Sequence, residues 1–248
     1  MPIYARYADI YDRSGQISFS LRMIPYLLEI LDRRGFAGTS MLDLACGTGT
    51  VAVAFAGRGW QVYGVDGSAQ MLVHARRQAD KAGANVWFSQ QDMRSFVLPQ
   101  RVDLVTCLYD SLNYLLTAED LQATFGRVAA SLKPGGLFVF DMNTIWALAE
   151  LWNGNTYFHE VAGLSIIMQS EYDKEAHTAS VRVIAFSPQD DLYERIEETH
   201  VERAYPERTI VAALERAGLQ VLERYECFST DPPTSRSPRI LWIASPAS

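Results

Sequence analysis

Residues 39 to 66, TSMLDLACGTGTVAVAFAGRGWQVYGVD, constrain this chain more than any other stretch. An apolar strand breaks into the loop Gly47-Thr48-Gly49, a helix follows, and a second strand ends on Asp66. A strand ending in such a loop aims backbone N–H groups and a helix N-terminus at one point, which is half of a nucleotide-binding crevice. The alternation continues. Periodicity predicts strands at 40–45, 61–65, 86–89, 102–107 and 136–141, separated after the first, second and fourth by helices at 49–57, 68–82 and 118–131. Ser68 is placed to N-cap its helix, and Lys133-Pro134-Gly135-Gly136 stops the next one. The expected class is α/β, a doubly wound parallel sheet.

The flanks read differently. In YARYADIYD, Tyr4, Tyr7 and Tyr11 share one face at helical spacing, and a second helix is expected from about Phe19 to Arg34. Between about 153 and 205 the period changes to two, as in Ser180-Val181-Arg182-Val183-Ile184-Ala185-Phe186, which predicts about four antiparallel strands inserted after the fifth sheet strand. A helix at 207–217 and strands at 219–228 and 239–244 close the chain, and the short connection between those strands requires them to be antiparallel. The expected division is a helical cap over 1–38, a core over 39–152 and 206–248, and an inserted lid or substrate platform over 153–205.

A formal charge of −7 over 248 residues argues against affinity built on nucleic-acid phosphates, because each such contact needs a cation. Cys46, Cys107 and Cys227 are odd in number and far apart, as buried thiols of a reducing compartment are. No apolar run is long enough to span a bilayer, so a cytoplasmic protein away from membranes is expected. The four histidines lack metal-ligand spacing, and no metal is expected.

Gly47-Thr48-Gly49-Thr50-Val51-Ala52 satisfies the dinucleotide pattern GxGxxG/A, with Asp66 nineteen residues beyond the first glycine. The loop alone admits NAD. Asp43 separates the readings: it lies inside a strand covered on both faces, where a carboxylate needs a partner. Beside a pyrophosphate, at about 6 Å and an effective dielectric of about 20, each like-charge pair costs roughly 2–3 kcal/mol, whereas beside an ammonium the sign reverses. A cofactor with an amino acid end, a ribose and an adenine suits Asp43, Asp66 and Asp92 in turn. S-adenosylmethionine has these parts and no phosphate.

The run Asp43, Ala45, Gly47, Gly49, an acid followed by small residues at every second position, resembles the class I S-adenosylmethionine-dependent methyltransferases, and the resemblance spans about 39–141. It implies a seven-stranded Rossmann-like sheet ending in an antiparallel pair. It also implies cofactor contacts at Asp43, Ala45, Gly47 and Gly49, at Asp66, Gly67 and Met71 of DGSAQML, and at Gln91, Asp92 and Met93 of QQDM. Ala45 departs from the glycine that many members carry there. YARYADIYD, CLYDSLNYL and the late AYPERTIVAALERAGLQVLE resemble small-molecule N- and O-methyltransferases, in which a tyrosine-bearing N-terminal helix closes over the cofactor. By that resemblance Tyr4 and Tyr11 contact the cofactor, Arg22 reaches its carboxylate, and Leu108 and Asn113 line its site.

LYDSLNYLL, residues 108 to 116, follows the fourth strand, where an open α/β sheet presents its ligands. Several relatives have histidine where this chain has Tyr114, which is read as a substrate positioner first and a base second, since a phenol titrates near 10; a packing role stands beside it. Asp110 is open between binding a substrate ammonium and capping the turn before helix 118–131. His200 alternates with Glu198 and Glu202 and is either a second base or part of a solvated strand face. Arg236 and Arg239 are either solvated or directed at an acidic substrate. The expected activity is methyl transfer to N or O of a small molecule. An RNA or protein methyltransferase, a non-catalytic cofactor-binding protein and a dehydrogenase are the rivals.

Overall fold

The computed structural model describes residues 3–247. Helix α1 (Ile17–Arg33) precedes β1 (Ser40–Leu44), α2 (Thr50–Ala56), β2 (Gln61–Asp66), α3 (Ala69–Ala82), β3 (Val86–Gln90), β4 (Val102–Cys107), α4 (Ala118–Ser131) and β5 (Leu132–Asn143). Four strands follow, β6 (Thr156–Val161), β7 (Leu164–Asp173), β8 (Thr178–Gln189) and β9 (Leu192–Arg203), then α5 (Glu207–Arg216), β10 (Leu219–Glu226) and β11 (Arg239–Pro246). The main sheet has seven strands in the order β3-β2-β1-β4-β5-β11-β10. Strands β1 to β5 pair in parallel, and β11 is antiparallel to both β5 and β10. This is the class I methyltransferase fold. The inserted strands form a separate antiparallel meander, β6-β7-β8-β9.

Every residue of β1 is buried, because helices cover both faces of the sheet. Met41 packs on one side with Leu27, Val51 and Phe55, while Leu42 packs on the other with Phe125, Phe138 and Trp242. Each such side chain contributes about 1.5–3 kcal/mol on burial. Helix α3 begins where Ser68 Oγ accepts from the Met71 amide at 3.2 Å and ends at Gly83 in the left-handed region. Gly49 opens α2 at φ 82°, and a Cβ there would stand 2.9 Å from the Ala75 Cβ, so its bare backbone lets α2 approach α3.

The first nine-residue motif departs from expectation. YARYADIYD forms only a 3-10 turn at Tyr7–Asp9, with Tyr4 at φ 58°. The physical reason lies far along the chain: the Glu198 carboxylate accepts the amides of Tyr4, Arg6 and Tyr7, at 2.7, 2.9 and 3.0 Å, drawing the segment across the site. The tyrosine rings still converge, with Tyr11 edge-on to Tyr4 and Tyr7. Tyr7 and Ile10 pack against Leu164, Ile166, Val183, Ala185 and Ile196 of the inserted sheet.

Strand β5 begins four residues earlier than the predicted 136, since Leu132 already pairs with Val102; the register then shifts before Leu104 meets Leu137, which is where the Pro-Gly-Gly break falls. A 3-10 turn at Ser111–Tyr114 and a π-helical turn at Ala147–Trp152 carry no periodicity long enough to anticipate. Among the described residues no helix is long and apolar enough to cross a membrane.

Candidate active site

A cavity of about 1430 Å³ opens at the C-terminal ends of β1 to β4 and extends beneath the N-terminal segment and the inserted sheet. Asp43 is at its floor, 3% exposed. The register puts Thr106 of β4 beside it, and the Thr106 hydroxyl donates to Asp43 at 2.9 Å. Burial pushes the Asp43 carboxyl up to about 7, against the bonds from Thr106 and the Ala52 amide. No cation pairs with it among the described residues. Asp66 is also raised, by burial, although its oxygens accept the Ser68 and Gly47 amides, both at 2.8 Å. Those bonds pin the glycine loop to the end of β2. Asp92 faces the cavity in an ion pair with Arg94, whose hydrogen bonds hold its carboxyl below the usual range.

Ala45 explains the glycine preferred at its position. Its φ of 57° is left-handed, which costs a side-chain-bearing residue about 1–2 kcal/mol. A second strained turn follows β4, where Tyr109 and Asp110 are left-handed in succession at φ 58° and 50°. Asp141, wholly buried on β5, accepts both their amides, at 2.7 and 3.0 Å. Arg239 on β11 bridges Asp141 and Asp110. Asn143 donates one amide hydrogen to Asp110 at 2.7 Å and the other to Glu202 at 2.9 Å. Strain of this kind persists where its surroundings over-determine it, and here it aims the Ser111–Tyr114 turn into the cavity.

Asp110 stands at the N-cap position of the 3-10 turn before helix 118–131, although its side chain makes no capping hydrogen bond there; the helix itself is capped by Thr117, which accepts from the Asp120 amide. Arg239 is neither solvated nor free, being committed to two carboxylates. Asn113 is wholly buried and does not line the cavity: its amide ties Asn143 and the Arg203 carbonyl together, fixing the 3-10 turn to β5 and β9. Arg22 is also outside, stacked over the Phe228 ring at 4.1 Å on the exposed side of α1. Gly49 acts in packing beneath the loop and is not a lining residue. Tyr4, Tyr11, Asp43, Ala45, Gly47, Asp66, Gly67, Met71, Gln91, Asp92, Met93, Leu108 and Tyr114 are all brought to the cavity wall.

His200 overturns the solvated-face reading. It is 6% exposed, and Glu198 and Glu202 on the same face of β9 are also buried. Its Nδ1 is 3.1 Å from the Tyr114 hydroxyl, which is 2.9 Å from the Tyr4 hydroxyl, and its Nε2 is 3.7 Å from Glu198. Burial lowers the imidazole from its ordinary value, against the pull of Glu198 and Asp110. Burial also raises the Tyr4 and Tyr114 phenols well above 10. The Glu202 carboxyl is raised well above its normal range, first by burial and then by Asp110. A signal for this face was present in the sequence: Ile196 and Ala204 share the parity of 198, 200 and 202, and both are buried.

The donor set fits a cofactor with a cationic amino acid end. Asp43 offers a buried, cation-free carboxylate, and the Thr50 hydroxyl at the N-terminus of α2 is buried without a partner while lining the same cavity. A Rossmann-like sheet with an antiparallel end and this acidic floor define a class I methyltransferase. A family model described as a methyltransferase domain matches residues 41–136. The chain is 30% identical to YqeM of Bacillus subtilis (strain 168), itself a provisional methyltransferase, over 98% of this chain and 96% of that one. Over 54% of this chain and 56% of its own it is 32% identical to the dTDP-3-amino-3,4,6-trideoxy-alpha-D-glucopyranose N,N-dimethyltransferase of Streptomyces venezuelae. Its fold matches an S-adenosylmethionine-dependent methyltransferase of Clostridium acetobutylicum ATCC 824 with a TM-score of 0.88, at 26% identity and over the whole of both chains. The chain belongs to the class I S-adenosylmethionine-dependent methyltransferases.

Proposed function

We propose that the enzyme methylates a nitrogen or oxygen of a small molecule enclosed between the core and the inserted sheet, with residues 153–205 serving as the lid over the acceptor. The observation that carries this reading is the size and shape of the cavity. At about 1430 Å³ it exceeds the roughly 300–1,000 Å³ of a pocket for one drug-sized ligand, and its wall passes from Asp43 and Asp66 to Tyr157, Met168 and Val183 of the insertion. Cofactor and acceptor fit side by side. The sugar-amine enzyme of Streptomyces venezuelae supports the same acceptor class. Residues 153–205 carry ten carboxylates against one lysine and three arginines, and Arg182 and Arg195 both reach Glu197, so the insertion is acidic and speaks against RNA.

In this reading Asp43 holds the cofactor ammonium, Asp66 and Gly67 meet the ribose, Gln91, Asp92 and Met93 meet the adenine, and Tyr4 and Tyr11 close from above. When bound, the cofactor supplies an already activated methyl group on a sulfonium. The protein's own contribution is alignment, exclusion of water and custody of the acceptor's proton. Calorimetry with S-adenosylhomocysteine and with NAD tests the cofactor end; a protein that bound NAD and ignored the thioether would refute it. Thermal-shift screening with amines, hydroxyacids and amino sugars in the presence of S-adenosylhomocysteine tests the acceptor end.

A further inference from the structure

We propose that His200 is the proton sink of the acceptor end, reached through the hydroxyls of Tyr4 and Tyr114. This inference rests on the proposed position of the acceptor and names the group that removes its proton. The three side chains come from the N-terminal segment, the turn after β4 and the inserted strand β9, yet they form one chain: Tyr4 Oη to Tyr114 Oη at 2.9 Å, and Tyr114 Oη to His200 Nδ1 at 3.1 Å. All three line the cavity.

The direction of the chain follows from its end. A neutral imidazole that accepts at Nδ1 carries its hydrogen on Nε2, which faces Glu198 at 3.7 Å, within ion-pair reach. Tyr114 then donates to His200, and Tyr4 donates to Tyr114. The Tyr4 oxygen keeps an acceptor lone pair for an incoming X–H group.

The buried phenols do not rest as phenolates at neutral pH, so neither is the base by itself. His200, lowered by burial, rests neutral, and its Nδ1 lone pair, which accepts from Tyr114, is placed to take that proton. The groups around it are Tyr4 and Tyr7 from the N-terminal segment, Tyr114 and Asp110 from the turn after β4, and Glu198 and Glu202 from its own strand; Val181 of β8 opposite is uncharged. No cationic side chain touches the imidazole among these neighbours, and Glu198 stabilises the imidazolium that forms.

The balance closes without another reactant. The acceptor heteroatom spends one lone pair on the methyl carbon and regains the pair of its broken X–H bond, while the C–S pair leaves with sulfur. The released proton bonds to Tyr4 Oη, the Tyr4 proton moves to Tyr114 Oη, and the Tyr114 proton ends on Nδ1. One positive charge is lost at sulfur and one appears on the imidazole. Because His200 acts through the tyrosines, it is a positioning residue with a proton-holding duty.

The full chain labelled with ¹⁵N-histidine, with the His200 resonances assigned by their loss in His200→Gln, tests this without an acceptor. The expected spectrum at pH 7.5 shows an unprotonated Nδ1, a protonated Nε2 and a titration midpoint below that of a free imidazole, with the Nδ1 shift moving in Tyr114→Phe. An imidazolium at pH 7.5, or the hydrogen on Nδ1, overturns the proposal. With glucosamine, glycine and catechol as probes, any methyl transfer should fall about 10²-fold or more in His200→Gln at unchanged KM, and the acid limb of its kcat profile should disappear. An unaltered profile also overturns it. Calorimetry with S-adenosylhomocysteine on the same samples separates the outcomes: lost thioether binding in the parent chain counts against the cofactor reading, and retained binding with the wrong tautomer counts against His200 alone.

Discussion

Asp43 and the Asp110–Asp141 pair, at opposite ends of the cavity, carry buried charge in opposite ways. At the cofactor end Asp43 is buried with a hydroxyl and an amide for company and no cation. At the acceptor end Asp110 and Asp141 are buried against the Arg239 guanidinium, which bridges them. A paired buried charge holds a scaffold in shape, while an unpaired one costs stability until a ligand supplies its partner. The contrast supports the proposed role of Asp43 as a ligand contact and makes Arg239 the support for the strained Tyr109-Asp110 turn.

Removing Arg239 tests the scaffold side with the largest effect. Arg239→Met leaves two carboxylates buried without a cation, and breaking a pair of this kind costs about 3–5 kcal/mol. At about 2–4 °C per kcal/mol for a chain of this size, the melting temperature should drop by roughly 6–20 °C. A melting temperature within about two degrees of the parent would mean that Arg239 is not the support of the turn.

Asp43→Asn tests the ligand side, and its two consequences should point in opposite directions. Thioether binding should weaken by about a hundredfold, or roughly 2.7 kcal/mol, because the ammonium loses a buried counter-charge. The free protein should nevertheless become more stable above neutral pH. The folded carboxyl is raised to about 7 from an ordinary value of 3.8, so the folded chain holds the proton through a window in which the unfolded chain has released it. The contribution of this group to stability therefore falls as pH rises from about 4 to 7 and stays low above that. The parent protein's affinity for S-adenosylhomocysteine should run the other way, weakening as pH drops through about 7, where Asp43 takes up its proton. Calorimetry from pH 5.5 to 8.5 measures this, and a flat affinity in the parent would detach Asp43 from the ammonium.

These two ends were not equally legible in the sequence. The cofactor end is made of short runs at successive strand ends, 43–49, 66–71 and 91–93, so its residues are neighbours in the chain before they are neighbours in space. Asp43 was readable because a charge inside a five-residue apolar strand is conspicuous. The acceptor end gathers Tyr4, Asp110, Tyr114, Asp141, Glu202 and Arg239 from both termini and the middle, and no spacing rule links them. Glu198, His200 and Glu202 by themselves alternate as on a solvated strand, and only Ile196 and Ala204, at the same parity, signal that this face turns inward, where Ile196 packs with Tyr7 and Ile10. Helix periodicity in YARYADIYD misled for a related reason. Its amides are captured by a carboxylate nearly two hundred residues away, a tertiary contact that outweighs the local preference.

Tyr114→Phe moves between the two ends. It removes one hydroxyl from the Tyr4–Tyr114–His200 chain and leaves the cofactor floor untouched. Turnover with any acceptor should fall about 10- to 100-fold, while thioether affinity stays within about twofold. Equal losses in binding and turnover would show that Tyr114 serves the cofactor end.

Glu198 joins the ends, and its replacement should have the smallest effect of the set. Residues 4–12 cross the cavity as a strap, fastened on one side by three amide bonds to Glu198 and on the other by the Thr48 hydroxyl on Asp12, at 2.8 Å. Gln78 donates to the same carboxylate of Asp12, so that fastening holds without Glu198. Glu198→Gln keeps the shape, loses the charge and retains one carbonyl oxygen to accept. Charge-assisted hydrogen bonds are worth about 1.5–3 kcal/mol and neutral ones about half that, so closure should weaken by about 1–2 kcal/mol. Amide exchange at Tyr4, Arg6 and Tyr7 should then quicken by about 5- to 30-fold, and release of S-adenosylhomocysteine should quicken in step. Faster exchange with unchanged release would mean that the strap covers the acceptor end alone. That outcome would take Tyr4 off the roof of the cofactor site and leave it to the proton chain alone.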